Sequence, residues 1–175
     1  INLLNKLWTF HGGLKLNGHK NLSNSAAIVK AQLPARLILP LLQHIGSPAE
    51  PIVKVGDRVL KGQIVAHCGG QHHDGEEGQC LKSRSAPIHA PTSGTVIALE
   101  NHAVPHRSGL TAPCIILEPD GLEEWTARTP LLDYTSVEPE VLHQHIARAG
   151  IVGLGGAGYP AHLKIKPAEI ETLIL

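Results

Sequence analysis

IVKVGDRVLKGQIVA at residues 52–66 and APIHAPTSGTVIAL at residues 86–99 are the two runs whose reading decides the fold. Each alternates apolar and polar residues with a period near two and is broken by glycine, a pattern of strands rather than helix. Val53, Val55, Val59 and Leu60 surround Gly56 and Asp57, and Ile64 and Val65 follow Gly62. Glycine after a short strand reaches positive φ at little cost, and Asp bonds its own following backbone, so Gly56 and Asp57 mark a turn. Ser93 and Gly94 mark a second turn, after which Thr95, Val96 and Ile97 resume the strand. The reading is an antiparallel sandwich over residues 52–117, its two halves facing each other. Val53, Val55, Ile64, Val65, Val96 and Ile97 are expected to point inward.

The pairing of a VGDxVxxGQxIA half with an APxSGxV half resembles the lipoyl/biotinyl type of β-sandwich over about fifty residues. The carrier chemistry of that type does not come with it. Such domains present one lysine at a tight hairpin between the halves, flanked by Met or by Asp and Ala. Here the connector is a long His/Gly/Glu-rich insert whose lysine, Lys82, lacks those neighbours.

Working outward, the composition suits a globular chain. Of 175 residues, 42% are hydrophobic and only 3% aromatic, so the core must be built of Val, Ile, Leu and Ala. Lys plus Arg equals Asp plus Glu at 15 each, which gives no general field for nucleic acid or anionic lipid. Gly at 18 and Pro at 13 fit many turns between short strands. No apolar run approaches the roughly 20 residues that cross a bilayer, so no direct membrane span is expected. The absence of Met and the apolar finish at Leu173, Ile174 and Leu175 suggest a piece of a longer protein. Cys68, Cys80 and Cys114 form no C-x-x-C pair, so neither a disulfide framework nor a zinc knuckle follows. A reducing compartment is the simpler reading.

Residues 1–10 carry Leu3, Leu4, Leu7 and Trp8 near helical spacing, as in a short amphipathic helix. Residues 33–42 read as a short strand pair that Pro34 and Pro40 push to an edge. The insert at 67–85 holds His67, Cys68, His72, His73, Asp74, Glu76, Glu77 and Cys80. It is read as a mobile surface loop with no structural metal, and His89, His102 and His106 as hydrogen-bonded rim histidines. Residues 112–118 read as the last strand, ended by the turn at Pro119, Asp120 and Gly121. After Pro130 the period becomes helical. Ser136 offers a cap, Val141, Leu142, His145, Ile146 and Ala149 share a face, and Gly150 supplies the stop. A second helix is expected near Pro167, followed by a buried strand at Leu173, Ile174 and Leu175.

Between the helices lies GIVGLGGAGYP at 150–160. Gly153, Gly155 and Gly158 satisfy G-x-G-x-x-G, but a Rossmann fingerprint needs a preceding strand and an acid about twenty residues on. Here a helix precedes and Pro160 closes the loop, so the ordinary Rossmann reading is rejected. The loop chemistry survives. Gly153, Gly155, Gly156, Ala157 and Gly158 expose backbone N–H groups to which a phosphate can come close, and Lys164 can add a charge. The competing reading is a glycine-rich turn that lets two elements pack closely.

Taken together, LILPLLQHIGSPAEPIVKVGDRVLKGQIVA (37–66), APIHAPTSGTVIAL (86–99) and GIVGLGGAGYPAHLK (150–164) resemble the N-terminal part of the C subunits of Rnf electron transport complexes. The motifs run in the same order from about residue 10 to residue 175. By architecture the A subunit of the sodium-pumping NADH:quinone reductase is a relative, and the glycine loop more distantly resembles the flavoprotein subunit of respiratory complex I. The resemblance implies an FMN phosphate held by Gly153, Gly155, Gly156, Ala157, Gly158 and Lys164, with NADH over the isoalloxazine. Tyr159 stands where that family often has Phe. It also implies an acidic segment completing the flavin site and two [4Fe–4S] clusters, both beyond Leu175.

The fold expected is a mainly β domain at 1–130, a lipoyl/biotinyl-like barrel-sandwich hybrid. The start of an α/β flavin-binding domain is expected at 131–175. The resemblance implies a subunit of a membrane-bound complex that couples electron transfer to ion translocation. Its partners are the other Rnf subunits, at the cytoplasmic face of the bacterial inner membrane, and the segment alone is expected to be inactive. No residue is assigned a catalytic or metal-binding role. The alternative is a non-catalytic lipoyl-like module that docks partner subunits.

Overall fold

The computed structural model describes residues 16–69, 81, 83–105 and 108–165. The expectations for residues 1–10, Lys82, His106, the helix near Pro167 and the final strand lie outside the described residues, as does most of the histidine-rich insert. Two compact units are present, Ile1–Gln32 and Leu33–Leu175. The described part of the first holds a 3-10 turn at Lys20–Leu22.

The described part of the second unit is mainly β. Its strands are β1 (Leu37–Pro40), β2 (Glu50–Pro51), β3 (Arg58–Val59), β4 (Ile64–His67), β5 (Ile88–His89), β6 (Gly94–Ala103) and β7 (Thr111–Pro119). One sheet has the order β1-β7-β6-β3 and the other β2-β4-β5. Every pairing is antiparallel. The two signature runs do not simply face each other. Each contributes a strand to both sheets, with β3 pairing β6 and β4 pairing β5. Within 52–66 the chain crosses from β3 to β4 at Leu60–Gln63, where Gly62 has φ 80° and Gln63 N–H donates to the Leu60 carbonyl (3.0 Å). An earlier turn, at Gly56 (φ 96°), precedes β3. Gly56 N–H donates to the Val96 carbonyl (2.8 Å) and Val96 N–H to the Asp57 carbonyl (2.9 Å), stitching the turn to β6.

Between the sheets lie Leu41, Ala49, Val53, Val59, Val65, Ala66, Ile88, Ala90, Val96, Ile115 and Leu117. Each large aliphatic among them contributes about 1.5–3 kcal/mol on burial. Three residues expected inward differ. Val55 is 60% exposed because it belongs to the turn itself. Ile64 and Ile97 are half-buried. Adjacent residues in a strand point to opposite faces, so Ile97 cannot follow Val96 inward. The register slip between Val96 and Ala98 makes Ile97 the residue of a bulge, and a similar irregularity separates Ile64 from Ala66.

Residues 33–42 form one strand rather than two. β1 lies at a sheet edge, with Pro40 as its last residue, where a missing N–H costs nothing. Cys114 is buried and free, and burial pushes its thiol up. Cys68 is disulfide-bonded, contrary to the reading from spacing. Spacing does not show how the fold closes the neck of the insert. Ser83 Oγ donates to the Gly69 carbonyl (2.7 Å) and Gly69 N–H donates to Ser85 Oγ (2.9 Å).

After β7, Asp133 caps a 3-10 turn at Tyr134–Ser136, and helix α1 (Pro139–Arg148) begins with Pro139 after Glu138. The cap is therefore not Ser136. Proline at the first helical position has its ring-fixed φ suited to the start and no N–H to satisfy. His143 and Ala147 are the buried residues of α1, offset from the face expected. Gly150, at φ 65°, ends it. A short helix α2 (Ala161–Lys164) follows Pro160. Among the described residues no helix is long and apolar enough to cross a membrane.

Candidate functional site

The glycine loop is the tip of a small β-like hairpin. Gly153 N–H donates to the Tyr159 carbonyl and Ala161 N–H to the Ile151 carbonyl, both at 2.8 Å, with Val152 opposite Pro160. Pro160 is buried and needs no partner for an N–H it lacks. Inside this frame Gly158 N–H donates to the Gly155 carbonyl at 3.1 Å, rounding the turn.

Among the described residues, the N–H groups of Leu154, Gly155, Gly156 and Ala157 donate to no protein acceptor. Four consecutive free donors on an exposed loop form a positive backbone surface suited to an anion. The five loop residues predicted from sequence fall into two groups. Gly153 and Gly158 are packed: an added Cβ would lie 3.1 Å from Lys164 Nζ at the first, and 3.2 Å from both the Gln43 carbonyl oxygen and His44 Cα at the second. Gly158 also has φ 55°, in the left-handed region. Gly155 and Gly156 are open: an added Cβ would meet nothing within 4 Å, and neither has left-handed φ. Close packing against backbone, together with its positive φ, therefore explains the glycine at 158, whereas at 153 the near atom is the mobile end of Lys164. It does not explain it at 155 and 156, where a Cβ would meet no described atom within 4 Å. Ala157 turns its carbonyl inward, accepting from Ile45 N–H at 2.9 Å.

Lys164 is brought to the loop. Its ammonium lies beside Gly153 and 5.7 Å from the centre of the Tyr159 ring, which orients it toward the same hairpin.

The polar residues that hold this site to the sandwich were not legible in the sequence. His44, 8% exposed, accepts from Ala86 N–H through Nε2 (3.0 Å) and donates through Nδ1 to the Ile45 carbonyl (3.1 Å). His162, 1% exposed, donates through Nε2 to the Ser83 carbonyl (3.1 Å), and its own carbonyl accepts from His143 Nε2. These partners are 42 and 79 residues apart in the chain, so no local pattern could have signalled them. His89 is half-buried beside Gly150, and burial lowers its pKa below 6.5 while a bond to the Arg148 carbonyl partly opposes that. His102 is bonded through Nδ1 to the Ala103 carbonyl. Among the described residues no three His, Cys, Asp or Glu side chains converge as a metal site would require.

The family described as the RnfC barrel sandwich hybrid domain matches residues 8–122, which hold both signature runs and all seven strands described above. The chain belongs to the RnfC family. Proteins named as the C subunit of an ion-translocating oxidoreductase complex are similar along nearly its whole length. The one from Pseudomonas aeruginosa is 46% identical, with 98% of this chain and 21% of that protein covered. The one from Vibrio cholerae is 44% identical, with 97% and 20% covered. The one from Rhodobacter capsulatus is 41% identical, with 96% and 31% covered. This RnfC-family chain thus spans between a fifth and a third of these curated relatives. The glycine loop lies past the barrel-sandwich match but inside the similarity to the relatives, which covers 98% of this chain in the Pseudomonas case.

Proposed function

We propose that the chain is the N-terminal part of a C subunit of an Rnf-type complex, in which a sandwich domain carries the start of an FMN-binding domain from residue 131 onward. The observation that carries the flavin reading is the run of four amides at 154–157 without an acceptor among the described residues, on a loop whose Gly155 and Gly156 face open space. That backbone fits the phosphate of FMN, with Lys164 as the nearby cation. Bound there, FMN would supply acceptance of two electrons from NADH and their release one at a time. The residues of this chain bind and orient. The hairpin holds the amides outward, Pro160 and Gly158 fix the loop ends, and Lys164 offsets the phosphate charge.

On this reading the rest of the flavin site and two [4Fe–4S] clusters would lie in the segment expected beyond residue 175. The names of the relatives support the assignment to an ion-translocating oxidoreductase complex. A place at the cytoplasmic face of the bacterial inner membrane, held by partner subunits, follows from that assignment.

The test uses the full-length subunit. The wild-type protein is expected to purify with FMN, and Gly156→Val to lose it, because a branched side chain would cover the amides. Hydrogen exchange in β6 and β7 should stay unchanged, since the side chain would extend into open space. Full flavin occupancy in Gly156→Val would overturn the cradle. A full-length protein that never takes up flavin would favour the docking module instead.

A further inference from the structure

We propose that His44, a residue of the sandwich far from the glycine motif in sequence, is a positioning residue for the phosphate cradle, and that the sandwich thereby sets the geometry of the loop. This rests on the reading of 154–157 as a flavin-phosphate site. The Leu154, Gly155, Gly156 and Ala157 amides can face outward together only if the loop carbonyls are held elsewhere. Two of them are: Gly155 accepts from Gly158 N–H, and Ala157 accepts from Ile45 N–H at 2.9 Å. The second bond comes from the sandwich side of the unit. Ile45 is half exposed and adjoins Gly46, so it has little packing of its own to hold it.

His44 supplies the hold. Its buried ring bridges two backbone segments, receiving the Ala86 N–H on Nε2 and giving the Nδ1 proton to the Ile45 carbonyl. Those two partners set the neutral tautomer with the proton on Nδ1. The ring thus ties the carbonyl of Ile45 to the Ala86 segment, and the N–H of the same residue grips Ala157. Directly beneath, Gly158 rests on Gln43 and His44 so closely that a Cβ would sit 3.2 Å from each. The 43–45 segment is therefore the floor on which the loop turns. His162, bonded to the Ser83 carbonyl, places α2 and Lys164 against the same side of the sandwich.

The experiment compares FMN with riboflavin on the full-length subunit by quenching of flavin fluorescence. Riboflavin lacks the phosphate, so the ratio of the two affinities reports the cradle alone. A merely structural weakening would lower both affinities and leave the ratio. His44→Ala is expected to reduce the FMN preference about tenfold, the effect of one well-placed hydrogen bond lost. His44→Gln should restore it, because its amide oxygen can accept from Ala86 N–H while its NH2 group donates to the Ile45 carbonyl. His44→Leu, which keeps the buried bulk and removes both hydrogen bonds, should act in the same direction as His44→Ala and decides the matter if His44→Ala does not fold. An unchanged ratio in His44→Ala, or in His44→Leu, while Gly156→Val abolishes the preference, would overturn the role of His44 and leave the cradle standing. No preference for FMN in the wild-type protein would instead remove the phosphate reading beneath it.

Discussion

At Gly94, in the sandwich, an added Cβ would lie 2.2 Å from the Glu118 carbonyl oxygen; at Gly156, in the loop, it would meet nothing within 4 Å. The first glycine is required by the fold, since β6 and β7 could not approach in register with a side chain there. The second is required by nothing among the described residues of the chain. The two regions differ in the same way throughout. The sandwich spends its small residues on backbone contact and its aliphatic residues on the space between sheets. The loop leaves its backbone donors at 154–157 and the space around Gly155 and Gly156 unoccupied among the described residues. A glycine count cannot separate the two uses.

The contrast can be broken most severely at Val96, 1% exposed between the sheets. Val96→Asp would bury an unpaired charge and is expected to cost about 3–5 kcal/mol. Amide exchange in β6 and β7 should become fast, and a variant with native protection would overturn the placement of this strand in the core. Gly94→Ala comes next. Forcing a methyl against the Glu118 carbonyl should cost about 1–3 kcal/mol, read as accelerated exchange at the paired β6–β7 amides.

A smaller effect is expected from acid. His89 has its folded-state pKa below 6.5 because burial penalises the imidazolium, so the folded state binds the proton less readily than the unfolded one. Stability from this group is present above pH 6.5 and is lost as pH falls below it. His89→Gln should flatten the dependence of melting temperature on pH between about 7 and 5. An equally steep profile in the variant would assign the acid sensitivity to other groups. The smallest effect should come from Gly156→Ala. With open space around it the substitution should change stability by no more than about 0.5 kcal/mol. A loss comparable to Gly94→Ala would show that position 156 is packed after all.

The local signals in the chain were strong where one residue type answers one local need. Gly56, Gly121 and Gly150 all have left-handed φ where turns or a helix stop were expected. The period-two runs became strands, and the run at 112–118 became β7. The glycine motif could be named as a candidate cradle from its bare backbone alone. Where the reading failed, the outcome depended on partners distant in the chain. Val55, Ile64 and Ile97 are apolar residues in strand-like runs, and only the turn at Gly56 and the two register slips decided that they leave the core. The start of α1 moved to Pro139 because the stretch before it made its own turn on Asp133.

The apolar alternation and the turn glycines by themselves determined an antiparallel β-sandwich followed by a glycine loop, because turn chemistry and face periodicity act over a few residues. The barrel-hybrid kind came from the resemblance of the motifs to a known family. The tertiary structure alone decided how the two signature runs share both sheets, which loop glycines pack and which stay open, and that His44 and His162 join the loop to the sandwich. Those outcomes rest on contacts between residues far apart in the chain, 42 and 79 positions for the His44 and His162 bonds, where only the folded backbone brings donor and acceptor within reach.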